Sequence, residues 1–101
     1  MSSSRVYVTL YRYTDQGMRG ISNAVELAKR WYGEAERRGV KVHALYWLQG
    51  QYDALTIVEA EDDDQVTALL LAIGAEGSLR TETMRGFTAD DLNRILGTMA
   101  R

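Results

Sequence analysis

The 101-residue chain has no cysteine and no proline, and it carries one histidine and one phenylalanine. Without cysteine, disulfides and thiolate-based zinc or iron–sulfur sites are excluded, and a lone imidazole leaves any metal site short of nitrogen ligands. The missing proline decides nothing about function. Positive charge is not in excess either: 12 basic against 14 acidic residues give a formal charge of −2. The electrostatic footprint of a nucleic-acid binder is therefore missing. Arg37 and Arg38 are adjacent, but Glu34 and Glu36 stand beside them, so the group reads as a solvated helix face. No apolar run approaches the roughly 20 residues of a membrane span, and the opening MSSSR is too short for a signal peptide. A cytoplasmic protein without cofactor, metal, nucleic-acid or membrane partner is the expectation.

What is present is the composition of one ordinary globular domain, 46% hydrophobic and 26% charged, with a modest core. RVYVTLYRY, residues 5–13, alternates as a strand does, with Val6, Val8 and Leu10 on one side and Tyr7, Thr9, Tyr11 and Tyr13 on the other. The aliphatic set is expected beneath helices, which leaves the tyrosines on an uncovered face. TDQGMRG reads as a loop with Thr14 as a cap. From Ser22 to Arg38 the spacing of Ala24, Ala28, Trp31, Tyr32 and Ala35 predicts a helix stopped by Gly39. Two strands, 40–48 and 52–60, flank a QGQ turn. A register in which paired residues sum to about 100 would set Lys41 against Glu59, Leu45 against Leu55 and Trp47 against Asp53. A second helix opens with Asp62 and Gln65 as a near capping box, buries Val66, Leu69, Leu70 and Ile73, and ends at Gly74 or Gly77. A final strand, SLRTETMRGF, precedes a helix bearing Leu92, Ile95, Leu96 and Met99 at helical spacing.

The order β-α-β-β-α-β plus a terminal helix predicts a ferredoxin-like α+β fold with a four-stranded antiparallel sheet. The expected division is a disordered N-terminus (1–4), the ferredoxin-like domain (5–87) and an amphipathic C-terminal helix (88–101). Helices on one side leave the other sheet face open, so a second subunit is expected to cover it, in a homodimer or larger homo-oligomer.

Three segments, YVTLYRYTDQG, GQYD and LRTETMRGFT, resemble the GYD domain, with Gly50, Tyr52 and Asp53 at the motif that names it. The resemblance runs over roughly residues 6–95. It implies a small prokaryotic protein similar to the dimeric α+β barrels, with no assigned activity and no catalytic residue to carry over. The stretch RWYGEAERRG departs from the Ala/Lys-rich helix usual in that family.

Several residues remain candidates for a site. Asp53 either accepts turn amides from Gln49, Gly50 and Gln51 or stands as a carboxylate at a pocket mouth, oriented by Tyr52. His43 is the natural general acid/base, and in the register above it shares a face with Trp47 and Asp53. Arg85, with Thr81 and Thr83, offers a cation and hydroxyls to an anion, or else Arg80 and Arg85 pair with carboxylates. The strand-one tyrosines suit an oligomer core or an aromatic cage. Two functions follow. One is a homo-oligomer binding a small molecule between its open sheet face and a covering subunit or helix, through Tyr11, Trp47, Tyr52 and Arg85. The other is a cofactor-independent isomerase or monooxygenase of dimeric-barrel type, using His43 or Asp53. A haem protein would have only His43 as an axial ligand.

Overall fold

The computed structural model describes residues 4–99. Residues 1–3 of the stretch expected to be disordered, and positions 100–101 of the terminal helix segment, lie outside the described residues. The chain runs β1 (Arg5–Tyr13), α1 (Asp15–Arg19), a 3-10 turn (Ile21–Asn23), α2 (Ala24–Arg37), β2 (Lys41–Trp47), β3 (Ala54–Ala60), α3 (Asp63–Glu76), β4 (Leu79–Gly86) and α4 (Ala89–Met99). The strands form one antiparallel sheet in the order β2-β3-β1-β4, with α2 and α3 packed on one side. This is the ferredoxin-like fold.

Local chemistry sets the element ends. At α3 the capping box is complete: the Asp62 carboxylate accepts the Gln65 N–H at 3.1 Å, and the Gln65 side chain accepts the Asp62 N–H. Gly39 follows α2 at φ 81°, a left-handed conformation that a side chain would strain. The TDQGMRG loop is corrected to a short helix, α1, capped by the Thr14 hydroxyl, which accepts the Gly17 N–H at 3.1 Å. Gly17 is required there by close approach, since a Cβ would lie 2.1 Å from the Ser78 carbonyl oxygen. Read as a helix breaker, it hides the helix.

The facing of β1 is the main correction. Tyr7, Thr9, Tyr11 and Tyr13 lie beneath the helices, paired with Val58, Thr56, Ala54 and Leu79. Val6, Val8 and Leu10 lie on the open face, against Glu59, Ile57 and Leu55 of β3. The helices supply small and aliphatic residues (Ala35, Val66, Leu69 and Ile73), which leaves depth for rings. Each buried polar tip also finds a partner: Tyr7 with Asp63, Tyr11 with Thr56 at 3.0 Å, and Thr9 with Thr83 at 2.9 Å.

The hairpin register is corrected as well. Lys41 does pair with Glu59, but a bulge between Val42 and Ala44 moves every later pair by one, so Leu45 meets Thr56 and Trp47 meets Ala54. A one-residue slip exchanges the two faces. Trp47 therefore turns beneath the helices while His43 joins Glu59 on the open side.

The terminal helix α4 is capped by Thr88 and Asp91, whose amides and side chains bond reciprocally at 3.0 Å. Among the described residues, none of this helix is buried and no element packs along its length. The molecule is accordingly long, 53 × 30 × 19 Å.

Candidate functional site

Between the helix side of the sheet and α2 is a cavity of about 80 Å³. The sequence of α2 makes the space: Ala24, Ala28 and Ala35 put small residues over the sheet, while Trp31 stands between them as a wall. Tyr11 and Tyr13 of β1, Thr56 of β3 and Trp47 of β2 complete the enclosure. The few polar atoms are hydroxyls and indoles. Tyr11 and Thr56 share a hydrogen bond, and the Trp47 indole N–H donates to the Tyr13 hydroxyl at 3.0 Å. The Trp31 indole N–H is buried and has no acceptor among the described residues.

Burial pushes the Tyr11 phenol pKa up, with the Thr56 hydrogen bond opposing it more weakly, so Tyr11 stays a neutral phenol at physiological pH. Among the described residues, no carboxylate, imidazole, ammonium or guanidinium lines the cavity. The walls are apolar, with hydroxyl and indole groups as their polar atoms. They hold nothing that gains or loses a proton near neutrality.

The predicted site residues fall in separate places. Tyr11 and Trp47 share the cavity wall. Arg85 borders a different recess of about 250 Å³ between β1, β4 and the start of α3, with its guanidinium 5.8 Å from the Tyr7 ring and 4.7 Å from the Phe87 ring. Burial, and then the Asp63 carboxylate, raise the pKa of the Tyr7 phenol in that recess. Arg80 donates to the Gly74 carbonyl at 3.2 Å. Tyr52 is on the open side of the sheet, its ring beneath the Arg12 guanidinium at 4.8 Å and its hydroxyl donating to Glu82 at 2.7 Å.

The Asp53 carboxylate does accept an amide, but not one from Gln49, Gly50 or Gln51. It takes the Tyr13 N–H at 2.9 Å, and the Asp53 N–H donates to the Tyr11 carbonyl at 2.8 Å. The connection is six residues long, 48–53, and Asp53 ties its end to the central strand. His43 bonds Glu59 at 2.6 Å, and that bond, with smaller help from Ser4 and Lys41, lowers the Glu59 pKa. The shared face proposed for His43, Trp47 and Asp53 does not form, because the bulge separates them. Trp31 and Thr56 are cavity residues that the sequence reading passed over as site candidates, while Tyr13 entered only with the strand-one tyrosines. Their one advance signal is a tryptophan set in an alanine stripe.

Among the described residues no group of three or more metal-ligating side chains occurs, and no helix is long and apolar enough to cross a membrane.

Comparison with known proteins places these features. The chain is similar to a mutant chlorite dismutase from Candidatus Nitrospira defluvii, with a TM-score of 0.62 and 18% identity, covering 85% of this chain and spanning 40% of that one. It is also similar to 30S ribosomal protein S6 from Thermotoga maritima, with a TM-score of 0.51 and 16% identity over 97% of this chain and 99% of the other. At those identities the likeness shows the fold alone. A nearer relative in sequence is the "glutamine synthetase and cystathionine beta-lyase binding protein" of Thermus thermophilus, 34% identical over 87 residues, or 85% of this chain and 92% of the relative. The GYD domain model matches residues 7–96, nearly the whole chain, and the protein belongs to the GYD domain family.

Proposed function

We propose that this protein is a non-catalytic binding protein that works as a homodimer, docks on enzyme partners, and holds a small molecule beneath α2. The observation that carries the reading is chemical. Among the described residues the cavity is lined by no carboxylate, imidazole, ammonium or guanidinium fit for acid–base work, while the relative that matches 85% of this chain is named for binding two enzymes. The partners proposed here are of those two kinds, glutamine synthetase and cystathionine β-lyase.

The homodimer is supported by the open sheet face. Val8, Leu10, Leu55 and Ile57 form an aliphatic surface that no element among the described residues covers, and an exposed Tyr46 and Met84 extend it. Two such faces are self-complementary under a twofold axis, the commonest symmetry of homo-oligomers. The isomerase or monooxygenase reading loses support because neither His43 nor Asp53 lines the cavity.

Size-exclusion chromatography of the protein mixed with glutamine synthetase and cystathionine β-lyase from its own organism tests the proposal. Co-elution with at least one of them, at the expense of the free peak, is expected. Independent elution of all three at tens of micromolar would overturn it.

A further inference from the structure

The recess between α3 and the edge strand β4 is flanked by two groups of opposite charge that keep hydrogen-bonding capacity to spare. We infer that it takes a free α-amino acid, its carboxylate on the Arg85 guanidinium, its ammonium at Asp63 and its apolar side chain along α3. The inference rests neither on the enzyme partners nor on the cavity beneath α2.

One buried ring positions both charges. Tyr7, 3% exposed, lines the recess; the Arg85 guanidinium lies over its face at 5.8 Å, and its hydroxyl donates to Asp63 Oδ1. Arg85 is held on a second side by the Phe87 ring at 4.7 Å. Among the described residues these ring contacts are all that engages it, and no carboxylate or carbonyl takes its N–H groups. Such contacts leave the fork free to pair the two oxygens of a carboxylate. Asp63 uses Oδ1 for Tyr7 and for Arg5, which stands 3.9 Å away. Its Oδ2 has no partner among the described residues.

Charge and lining decide the ligand class. A simple carboxylate on Arg85 would be repelled by Asp63, and a simple amine at Asp63 would be repelled by Arg85. A zwitterion meets an opposite charge at each end. Val66 and Leu70, one turn apart on α3, give its side chain an aliphatic wall. The Thr67 hydroxyl, without a partner among the described residues, lies on the same wall. The recess holds about 250 Å³, more than a 150 Å³ cavity that admits benzene, so a branched aliphatic side chain fits. Water hydrates each charge separately, but only a ligand with both charges and an apolar branch also covers Val66 and Leu70. The Asp63 side chain is 68% exposed, so each charge adds the modest amount of a solvated ion pair.

Leucine is the probe, beside 4-methylpentanoate, which lacks its ammonium, and 3-methylbutylamine, which lacks its carboxylate. Each is titrated into the whole protein at pH 7 to millimolar concentration, and proton–nitrogen correlation spectra follow the backbone amides of Thr67, Thr83 and Arg85. Leucine is expected to shift these amides saturably, and each analogue to bind about fivefold more weakly. Arg85→Gln should remove the preference for leucine over the amine. Asp63→Asn, which keeps an oxygen for the Tyr7 hydroxyl, should remove the preference over the carboxylate. Equal binding of leucine and 4-methylpentanoate would overturn the assignment in favour of a plain anion site. No saturable shift at these amides with any probe would overturn the recess as a site. Should a variant fold poorly, the order of the three probes on the wild type decides alone. The enzymes are absent and the tryptophan indole signals report the cavity beneath α2, so failure here is distinct from failure of the reading above.

Discussion

The carboxylate of Asp53 accepts the backbone N–H of Tyr13 at 2.9 Å, extending the β1/β3 ladder past its last paired residues, Tyr11 and Ala54. The residue that helps name the family is thus a side chain standing in for a strand. Asp53→Ala should leave the Tyr13 amide without its acceptor and cost about 1–3 kcal/mol. Asp53→Asn keeps an oxygen in place and should cost about 1 kcal/mol or less. Thermal melts check both, at roughly 4–8 °C per kcal/mol for a domain of this size. Equal melting of wild type and Asp53→Ala would show that the bond contributes nothing.

Gly17→Ala should be among the most damaging single-methyl additions in the molecule. Its Cβ would meet the Ser78 carbonyl oxygen, an atom already held by the Thr14 N–H at 3.0 Å, so backbone has to move. A loss of about 1–3 kcal/mol is expected, the scale of overpacking. Denaturant unfolding of the variant measures it, and Gly33→Ala, where nothing lies within 4 Å, is the control.

The His43–Glu59 pair predicts a pH dependence with a definite sign. The folded-state pKa of Glu59 is lowered from 4.5, first by the His43 hydrogen bond, so its contribution is complete above about pH 4.5 and fades as the pH falls through the lowered value. The difference in melting temperature between wild type and Glu59→Gln should shrink as the pH falls below 4.5. A gap that stays unchanged as the pH falls below 4.5 would contradict the pairing.

Ile57→Lys places a charge in the middle of the open aliphatic face, opposite Val8 and Ala44. Light scattering should give twice the 11.4 kDa of one chain for wild type and a single chain for the variant. A monomeric wild type at tens of micromolar would end the dimer proposal.

Element order was legible in the sequence because its signals are local. The Asp62–Gln65 box, the Gly39 stop and the alternation of residues 5–13 all act within a few positions. The facing of β1 was not legible, because alternation yields two sets of residues without saying which is inward. The partners that settle Tyr7 and Tyr11 lie 56 and 45 positions away, at Asp63 and Thr56. The bulge beside His43 likewise leaves no local mark, yet it decides which side Trp47 occupies. Of the candidate site, two aromatic residues were named and the indole between them was not, since an unmet hydrogen bond exists only in three dimensions.

In the proposed homodimer, the uncovered aliphatic strands would also tie the protein's durability to its abundance. With a second copy seated on Val8, Leu10 and Ile57, dilution alone removes part of what keeps each chain folded. A partner at a hundredfold its Kd adds about 2.7 kcal/mol, and at concentrations far below Kd it adds almost nothing. A cell that makes less of this protein would therefore hold copies that are individually more fragile, as well as fewer of them.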